Sequence, residues 1–207
     1  MFTGIVEEAG LVENIRATDT GIELVVRAKT CARGVIRGAS LAVNGCCLTV
    51  VKMAPRPRGQ KLLQFDLLRE TWKRTNLAFV RAGSLVNLER PLRADGRLDG
   101  HFVTGHIDGT GEIIRWEVSG ADRVLEIAAP PGIMRYVNMK GSIAVDGISL
   151  TVAGLGRDRF DVQIVPYTLE HTNLSGVQVR DRVNLECDMV GKYVVRAMEL
   201  AGLTHQS

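Results

Sequence analysis

Few side chains in this sequence are equipped for covalent or proton chemistry, and they sit in short, separate stretches. Cys47 carries a thiol, which ionises far more readily than a hydroxyl and can serve as a nucleophile. A free cysteine is equally at home as a small buried core residue. His106 can move a proton near neutral pH, or can be a histidine held by structural hydrogen bonds. His101 has the same two readings. Ser40, Thr49, Ser149 and Thr151 bring hydroxyls that matter if they line a pocket and are ordinary strand or turn residues otherwise. Asp66 and Lys140 flank these stretches, as site charges or as solvated surface ones. Several familiar chemistries have no motif here: there is no phosphate-binding Walker loop, no G-x-S-x-G and no H-E-x-x-H. Cys31, Cys46, Cys47 and Cys187 form no C-x-x-C pair, and His101, His106, His171 and His205 do not space with them as zinc ligands.

The elements that must position these residues come in two copies. Thr3-Gly4-Ile5-Val6 matches Thr104-Gly105-His106-Ile107. Leu41-Ala42-Val43-Asn44-Gly45-Cys46-Cys47-Leu48-Thr49-Val50 matches Ile143-Ala144-Val145-Asp146-Gly147-Ile148-Ser149-Leu150-Thr151-Val152. Thr71 and Thr75-Asn76-Leu77 match Thr168 and Thr172-Asn173-Leu174. Val86-Asn87-Leu88-Glu89 matches Val183-Asn184-Leu185-Glu186. The matches keep their order at an offset of about 97–102 residues, which marks an internal repeat. Two copies of one fold offer two similar pockets, so equivalent positions that differ in chemistry are the ones to watch. Cys47 stands opposite Ser149, Ile5 opposite His106, and Asn44 opposite Asp146.

Each copy reads as β-structure. Asn44-Gly45 and Asp146-Gly147, between short apolar runs, predict type I′ hairpins. Residues 22–27 and 124–127 read as equivalent strands, and Ala54-Pro55-Arg56-Pro57-Arg58-Gly59-Gln60 as a loop. Short strands and frequent turns favour a barrel or sandwich. After Met189 the period becomes helical, with Val190, Val194, Ala197, Met198 and Ala201 on one stripe and Gly202 as the stop. That apolar stripe must bury itself on its own barrel or on another subunit. The 207 residues carry a net charge of +3, too weak a bias to argue for nucleic acid or an anionic membrane. The start lacks the pattern of a signal peptide, and the longest charge-free stretch, residues 38–51, is too short to span a bilayer. The expectation is a cytoplasmic protein.

Together, Met1-Phe2-Thr3-Gly4-Ile5-Val6-Glu7, Asn44-Gly45-Cys46-Cys47-Leu48-Thr49-Val50, Gly100-His101-Phe102-Val103-Thr104-Gly105-His106-Ile107-Asp108-Gly109 and Asp146-Gly147-Ile148-Ser149-Leu150-Thr151-Val152 closely resemble the riboflavin synthase family of the alpha-chain type. The resemblance runs from Met1 to the tail helix. It implies an all-β chain of two tandem homologous six-stranded antiparallel Greek-key barrels plus a C-terminal helix. The expected units are an N-terminal barrel over 1–97, a C-terminal barrel over 98–186, and a trimerisation helix and tail over 187–207. The implied reaction takes two 6,7-dimethyl-8-ribityllumazine molecules and moves a four-carbon unit between them, giving riboflavin and 5-amino-6-(D-ribitylamino)uracil, with no cofactor or metal. The implied partners are that lumazine, two per site, and two further copies of the chain in a homotrimer, with no nucleic acid and no membrane. Association with lumazine synthase is left open.

By resemblance, Cys47, His106, Ser149 and Thr151 are the catalytic candidates. The substrate-contact segments expected on the N-terminal barrel are Gly4-Ile5-Val6, Ser40, Cys47-Leu48-Thr49 and Asp66-Leu67-Leu68-Arg69-Glu70-Thr71. On the C-terminal barrel they are Gly105-His106-Ile107, Lys140, Ser149-Leu150-Thr151 and Ile164-Val165-Pro166-Tyr167-Thr168-Leu169. The main rival is a non-catalytic antenna protein of the same superfamily that binds a lumazine or flavin.

Overall fold

The computed structural model describes residues 1–119 and 122–203. Two closed antiparallel barrels follow one another along the chain. The first contains β1 (Glu8–Ala17), β2 (Ile22–Ala28), β3 (Ser40–Val43), β4 (Cys46–Pro55), β5 (Lys61–Leu67) and β6 (Leu85–Glu89), closed in the order β1-β2-β5-β4-β3-β6. The second contains β7 (Gly109–Ser119), β8 (Asp122–Ala128), β9 (Ser142–Val145), β10 (Ile148–Leu155), β11 (Arg159–Ile164) and β12 (Arg182–Cys187), closed in the equivalent order. The fold class expected from the sequence is the one observed.

Period-two patterning builds these walls. On β2, Leu24, Val26 and Ala28 point inward; on β5, Leu63, Phe65 and Leu67 do. Phe65 in one barrel and Phe160 in the other are fully buried among aliphatic neighbours, so both interiors are packed cores rather than ligand cavities. Closure leaves no long free edge. The register slips once on β1 between Val12 and Asn14 and on β4 between Val50 and Lys52. It slips again at the equivalent places, between Ile113 and Arg115 on β7 and between Val152 and Gly154 on β10. Such bulges bend long strands around a small barrel. Both predicted hairpins form: Asn44 (φ 45°) precedes Gly45 (φ 76°), and Asp146 (φ 47°) precedes Gly147 (φ 77°), the positive pair that a type I′ turn needs.

The Pro-Arg stretch is only partly a loop. β4 runs through Ala54 and Pro55, which pair with Leu62 and Lys61, and the turn is confined to a 3-10 segment over Pro57–Gly59. Pro55 is the last strand residue, where its missing N–H costs the ladder nothing. Three short helices, α1 (Arg69–Arg74), α2 (Pro131–Met134) and α3 (Pro166–His171), are too brief to give a readable period. α4 (Met189–Leu200) is the tail helix, capped by Asp188, whose Oδ1 accepts the Val190 N–H at 3.0 Å. Lys192 pairs with Asp108 at 2.6 Å and Glu199 pairs with Arg135, tying α4 to the second barrel. Val190, Val194 and Met198 stay exposed. Among the described residues no helix is long and apolar enough to cross a membrane. His205 lies outside the described residues.

A pseudo-twofold axis relates the barrels. Phe2 and Val103, equivalent in the repeat, exchange N–H···O bonds of 2.7 and 3.1 Å. Small residues, Ala42 and Ala144, pack beside them. A buried lattice of side chains follows: Asp146 accepts from Asn76 Nδ2 (2.8 Å), Asn173 Nδ2 (2.8 Å) and the Asn184 N–H (2.7 Å), while Asn44 Oδ1 accepts the Asn87 N–H (2.8 Å). Burial pushes the Asp146 carboxyl up to about 7, against the pull of its three N–H donors.

Candidate active site

The reactive residues lie on the outer walls of the barrels. Cys46 and Cys47 face opposite sides of β4, as strand alternation requires: Cys46 is in the core and Cys47 is half-buried outside it. Cys47 pairs with Ala42 across the ladder and Thr49 with Ser40, so Ser40, Cys47 and Thr49 share one outward face. In the second barrel Ser149 pairs with Ala144 and Thr151 with Ser142. These are two equivalent ledges, one bearing a thiol and the other a hydroxyl. Ser142 is the counterpart of Ser40 and joins its ledge; the repeat alignment could have found it. A cleft of about 500 Å³ opens beside the first ledge, lined by Ile5, Ser40, Glu89 and the linker residues Leu92, Arg93 and Arg97.

The segment leading into each barrel crosses to the other one. The Gly4 carbonyl accepts the Ser149 N–H at 2.7 Å, and the Gly105 carbonyl accepts the Cys47 N–H at 2.9 Å. Val6 packs on the core of the second barrel and Ile107 on that of the first. Gly4 and Val6 thus touch the second barrel, and Gly105 and Ile107 touch the first, while Ile5 lines the cleft beside Ser40. The bridge between Phe2 and Val103 lets each leader pass the axis. Both crossings require glycine. A Cβ on Gly4 would lie 2.6 Å from Ser149 Cβ, and one on Gly105 would lie 2.5 Å from Cys47 Cβ.

Two buried carboxylates fix the crossings. Glu89 Oε1 accepts the Thr3 N–H (2.6 Å) and hydroxyl (2.8 Å), and its Oε2 accepts the Gly4 N–H (3.0 Å). Glu186 does the same for Thr104 (2.6 and 2.6 Å) and Gly105 (3.0 Å). Burial raises the Glu89 carboxyl above the usual range, and the bonds from Thr3 and Gly4 pull it back. His101, the leader residue with no counterpart before Met1, places Nδ1 2.7 Å from Ser149 Oγ; its Nε2 is buried and has no partner among the described residues. Desolvation lowers its pKa, so it is neutral at pH 7. With a single ring proton to place, an orphaned acceptor is the commoner compromise than an orphaned N–H. That favours the Nδ1–H tautomer donating to Ser149 and leaves the serine proton free for an acceptor on the ledge.

The other expected residues divide by the face they take. Leu48, Leu67 and Ile164 point into the cores and offer a ligand only backbone. Asp66 lies on the outer face of β5 opposite Glu23. His106 and Thr151 are exposed, and Leu150 is half-buried against the second core. Lys140 is exposed with φ 64° where the first copy has Gly38 at φ 86°; a side chain held there costs about 1–2 kcal/mol. Leu68-Arg69-Glu70-Thr71 and Val165-Pro166-Tyr167-Thr168-Leu169 form equivalent lips, the N-caps and first turns of α1 and α3. Glu70 pairs with Arg74 on the first lip, whereas on the second Tyr167 stacks on His171 at 4.0 Å.

Comparison with known proteins agrees with this architecture. The family model described as Lumazine binding domain matches twice, over residues 3–91 and 104–188. The riboflavin synthase of Mycobacterium tuberculosis (strain H37Rv) is 48% identical over 98% of this chain and 100% of its own length. That of Bacillus subtilis (strain 168) is 39% identical over 97% of this chain and 91% of its own. Among solved structures, LumP complexed with riboflavin superposes with a TM-score of 0.82 at 24% identity, covering 90% of this chain and 99% of that one, a likeness of fold. With two lumazine-binding domains in tandem and relatives that share its sequence from end to end, the chain belongs to the riboflavin synthase family.

Proposed function

We infer that the chain is the enzyme that transfers a four-carbon unit between two molecules of 6,7-dimethyl-8-ribityllumazine, releasing riboflavin and 5-amino-6-(D-ribitylamino)uracil. The observation that carries this reading is the pair of equivalent ledges in one chain, alike in fold and unlike in chemistry. Two identical substrate molecules must take different roles, and ledges bearing Cys47 and Ser149 differ where that choice is made. Positioning does much of the work, since holding two reactants in register replaces a bimolecular encounter.

One lumazine loses a C7-methyl proton to a base, and the resulting carbon nucleophile attacks the ring of the other. His106 is the candidate to move that proton, a reading supported by its exposure and by the bond from its neighbour Gly105 to the Cys47 amide. The Cys47 thiolate adds reversibly to a pteridine ring and is expelled as the four-carbon unit transfers. Ser149 and Thr151 supply hydrogen bonds to the second ring, and Lys140 lies along the same wall. The remaining expected segments hold the heterocycle edges and the ribityl chains through backbone groups, hydroxyls and carboxylates.

The active unit is a homotrimer built through α4, in which the exposed Val190, Val194 and Met198 bury one another. The site then lies between the N-terminal barrel of one subunit and the C-terminal barrel of the next. The protein works in the cytoplasm, where association with lumazine synthase would shorten the path of the substrate; co-sedimentation of the two proteins tests that association. The function is tested by mixing the purified protein with the lumazine alone and following flavin absorbance. Riboflavin and the ribitylaminouracil should appear in equal amounts. Binding without turnover would instead make this an antenna-type protein like LumP.

A further inference from the structure

We propose that Glu186 and Glu89 are positioning residues, each of which builds the ledge of the opposite barrel: Glu186 sets Cys47 and His106, and Glu89 sets Ser149. The two carboxylates are 2% and 5% exposed, and among the described residues neither has a cationic partner. A buried charge held only by neutral donors is expensive, yet both copies of the repeat keep one. What each secures is a run of consecutive backbone amides. Glu186 takes the Thr104 and Gly105 N–H groups directly. The Thr104 hydroxyl donates to Glu186 and accepts the His106 N–H at 3.3 Å, extending the hold by one residue. Glu89 repeats this on Thr3 and Gly4, with the Ile5 N–H on the Thr3 hydroxyl at 3.2 Å.

Each clamped turn then delivers its glycine carbonyl to the amide of the reactive residue on the other barrel, Cys47 for Gly105 and Ser149 for Gly4. The line of force runs from a carboxylate, through a Thr-Gly turn, to the backbone of a ledge residue that the carboxylate never touches. A neutral amide cannot replace the carboxylate. Its one oxygen can keep the threonine donors, but its NH₂ would then face the glycine N–H, donor against donor. The clamp would lose its grip on the glycine whose carbonyl reaches across.

The inference rests on the reading that the ledges bind substrate, and its test separates the two. Glu186→Gln and Glu89→Gln are made in the full-length chain, and alkylation of Cys47 by iodoacetamide is followed by mass spectrometry. The same is done in a Ser149→Cys background, whose new thiol occupies the place that Cys47 fills on the equivalent ledge. Glu186→Gln should change the Cys47 rate at least about threefold and leave the thiol at 149 within that margin; Glu89→Gln should do the reverse. Both should lower kcat at least about tenfold with little change in KM, because the ligand still binds but is held out of line. General loosening would move both thiols together. A Cys47 rate unchanged in Glu186→Gln, or changed as much by Glu89→Gln, overturns the proposal. Should the Gln variants fail to fold, Thr104→Val and Thr3→Val remove one donor each while keeping the carboxylate, and the same reciprocal pattern must appear. If the wild-type protein makes no riboflavin, the assigned reaction fails while the thiol pattern still decides the clamp.

Discussion

Replacing Gly147 by alanine tests how tightly the barrels are locked. Gly147 has φ +77°, and an added Cβ would lie 2.7 Å from the Gly45 nitrogen and 2.8 Å from its Cα. Ordinary contacts begin near 3.4 Å, so the turns must part by about 0.7 Å against backbone, which has no rotamer to yield. Overpacking of that kind costs about 1–3 kcal/mol, and the left-handed conformation adds about 1–2 kcal/mol. Gly59 is the control: its φ is +73° and nothing lies within 4 Å of its virtual Cβ, so Gly59→Ala carries the conformational cost alone. For a chain of this size each kcal/mol lowers Tm by about 2–4 °C. Gly147→Ala should therefore melt about 2–12 °C below Gly59→Ala at equal protein concentration. Its turnover should fall as well, because the turns at Gly45 and Gly147 lead directly into β4 and β10, and parting them moves the strands that carry Cys47 and Ser149. Gly45→Ala should behave alike, and the double variant should lose less than the two single losses added, since one separation relieves both contacts. Equal melting of Gly147→Ala and Gly59→Ala would refute the reasoning.

Cys47→Ser should slow riboflavin formation at least about tenfold, and His106→Gln by about 10²-fold, with ligand binding retained in a lumazine fluorescence titration. Native protein at pH 7.5 should alkylate one thiol per chain, at Cys47. Burial pushes Cys46 and Cys187 up to about 12 and Cys31 higher still, and all four react after unfolding. Asp146 has a folded pKa of about 7 against 3.8 for the free side chain, so the folded state binds its proton more tightly. The stability contributed by protonating Asp146 is therefore fully present below about pH 4 and is lost as pH rises towards 7. Asp146→Asn, with the neutral Asn44 as its precedent in the other copy, should gain about 2–3 kcal/mol more over wild type at pH 8 than at pH 5 in urea unfolding. Val194→Asp, which puts a charge on the exposed stripe of α4, should reduce the sedimenting mass to that of a single chain.

The repeat made most of the fold readable. Equivalent Asn-Gly and Asp-Gly turns between apolar runs place β3, β4, β9 and β10, and the change to a helical period places α4. The helices α1 and α3 were illegible because six residues do not complete two turns, and their sequences carry no cap of the usual kind: Leu68 and Val165 stand at the N-caps. At the site, residue types pointed to Cys47, Ser149 and His106, but not to the ledge each leader serves. That depends on a long-range bridge, Phe2 to Val103, that no local pattern encodes. Glu89 and Glu186 stood in plain view at the ends of matched segments. Nothing in the sequence reveals that a carboxylate there is buried. The contact between His101 and Ser149 was hidden for the same reason.

The crossed leaders also impose a timetable. Contacts between Gly4 and Ser149 span nearly three-quarters of the chain, and closing them must wait until β10 has been made. Until then Phe2, fully buried in the finished protein, lacks the cover of Ala144, and the Gly4 carbonyl lacks the Ser149 amide, although Ala42, Val103 and Gly105 have already been made. A nascent chain leaving the ribosome therefore passes through a stage in which the first barrel is shaped but its own leader has no partner on the second. Such long-range closure is slow and leaves apolar surface exposed while it proceeds. The final event in folding is expected to be the docking of the Gly4 leader on β10, which completes the second ledge after the first.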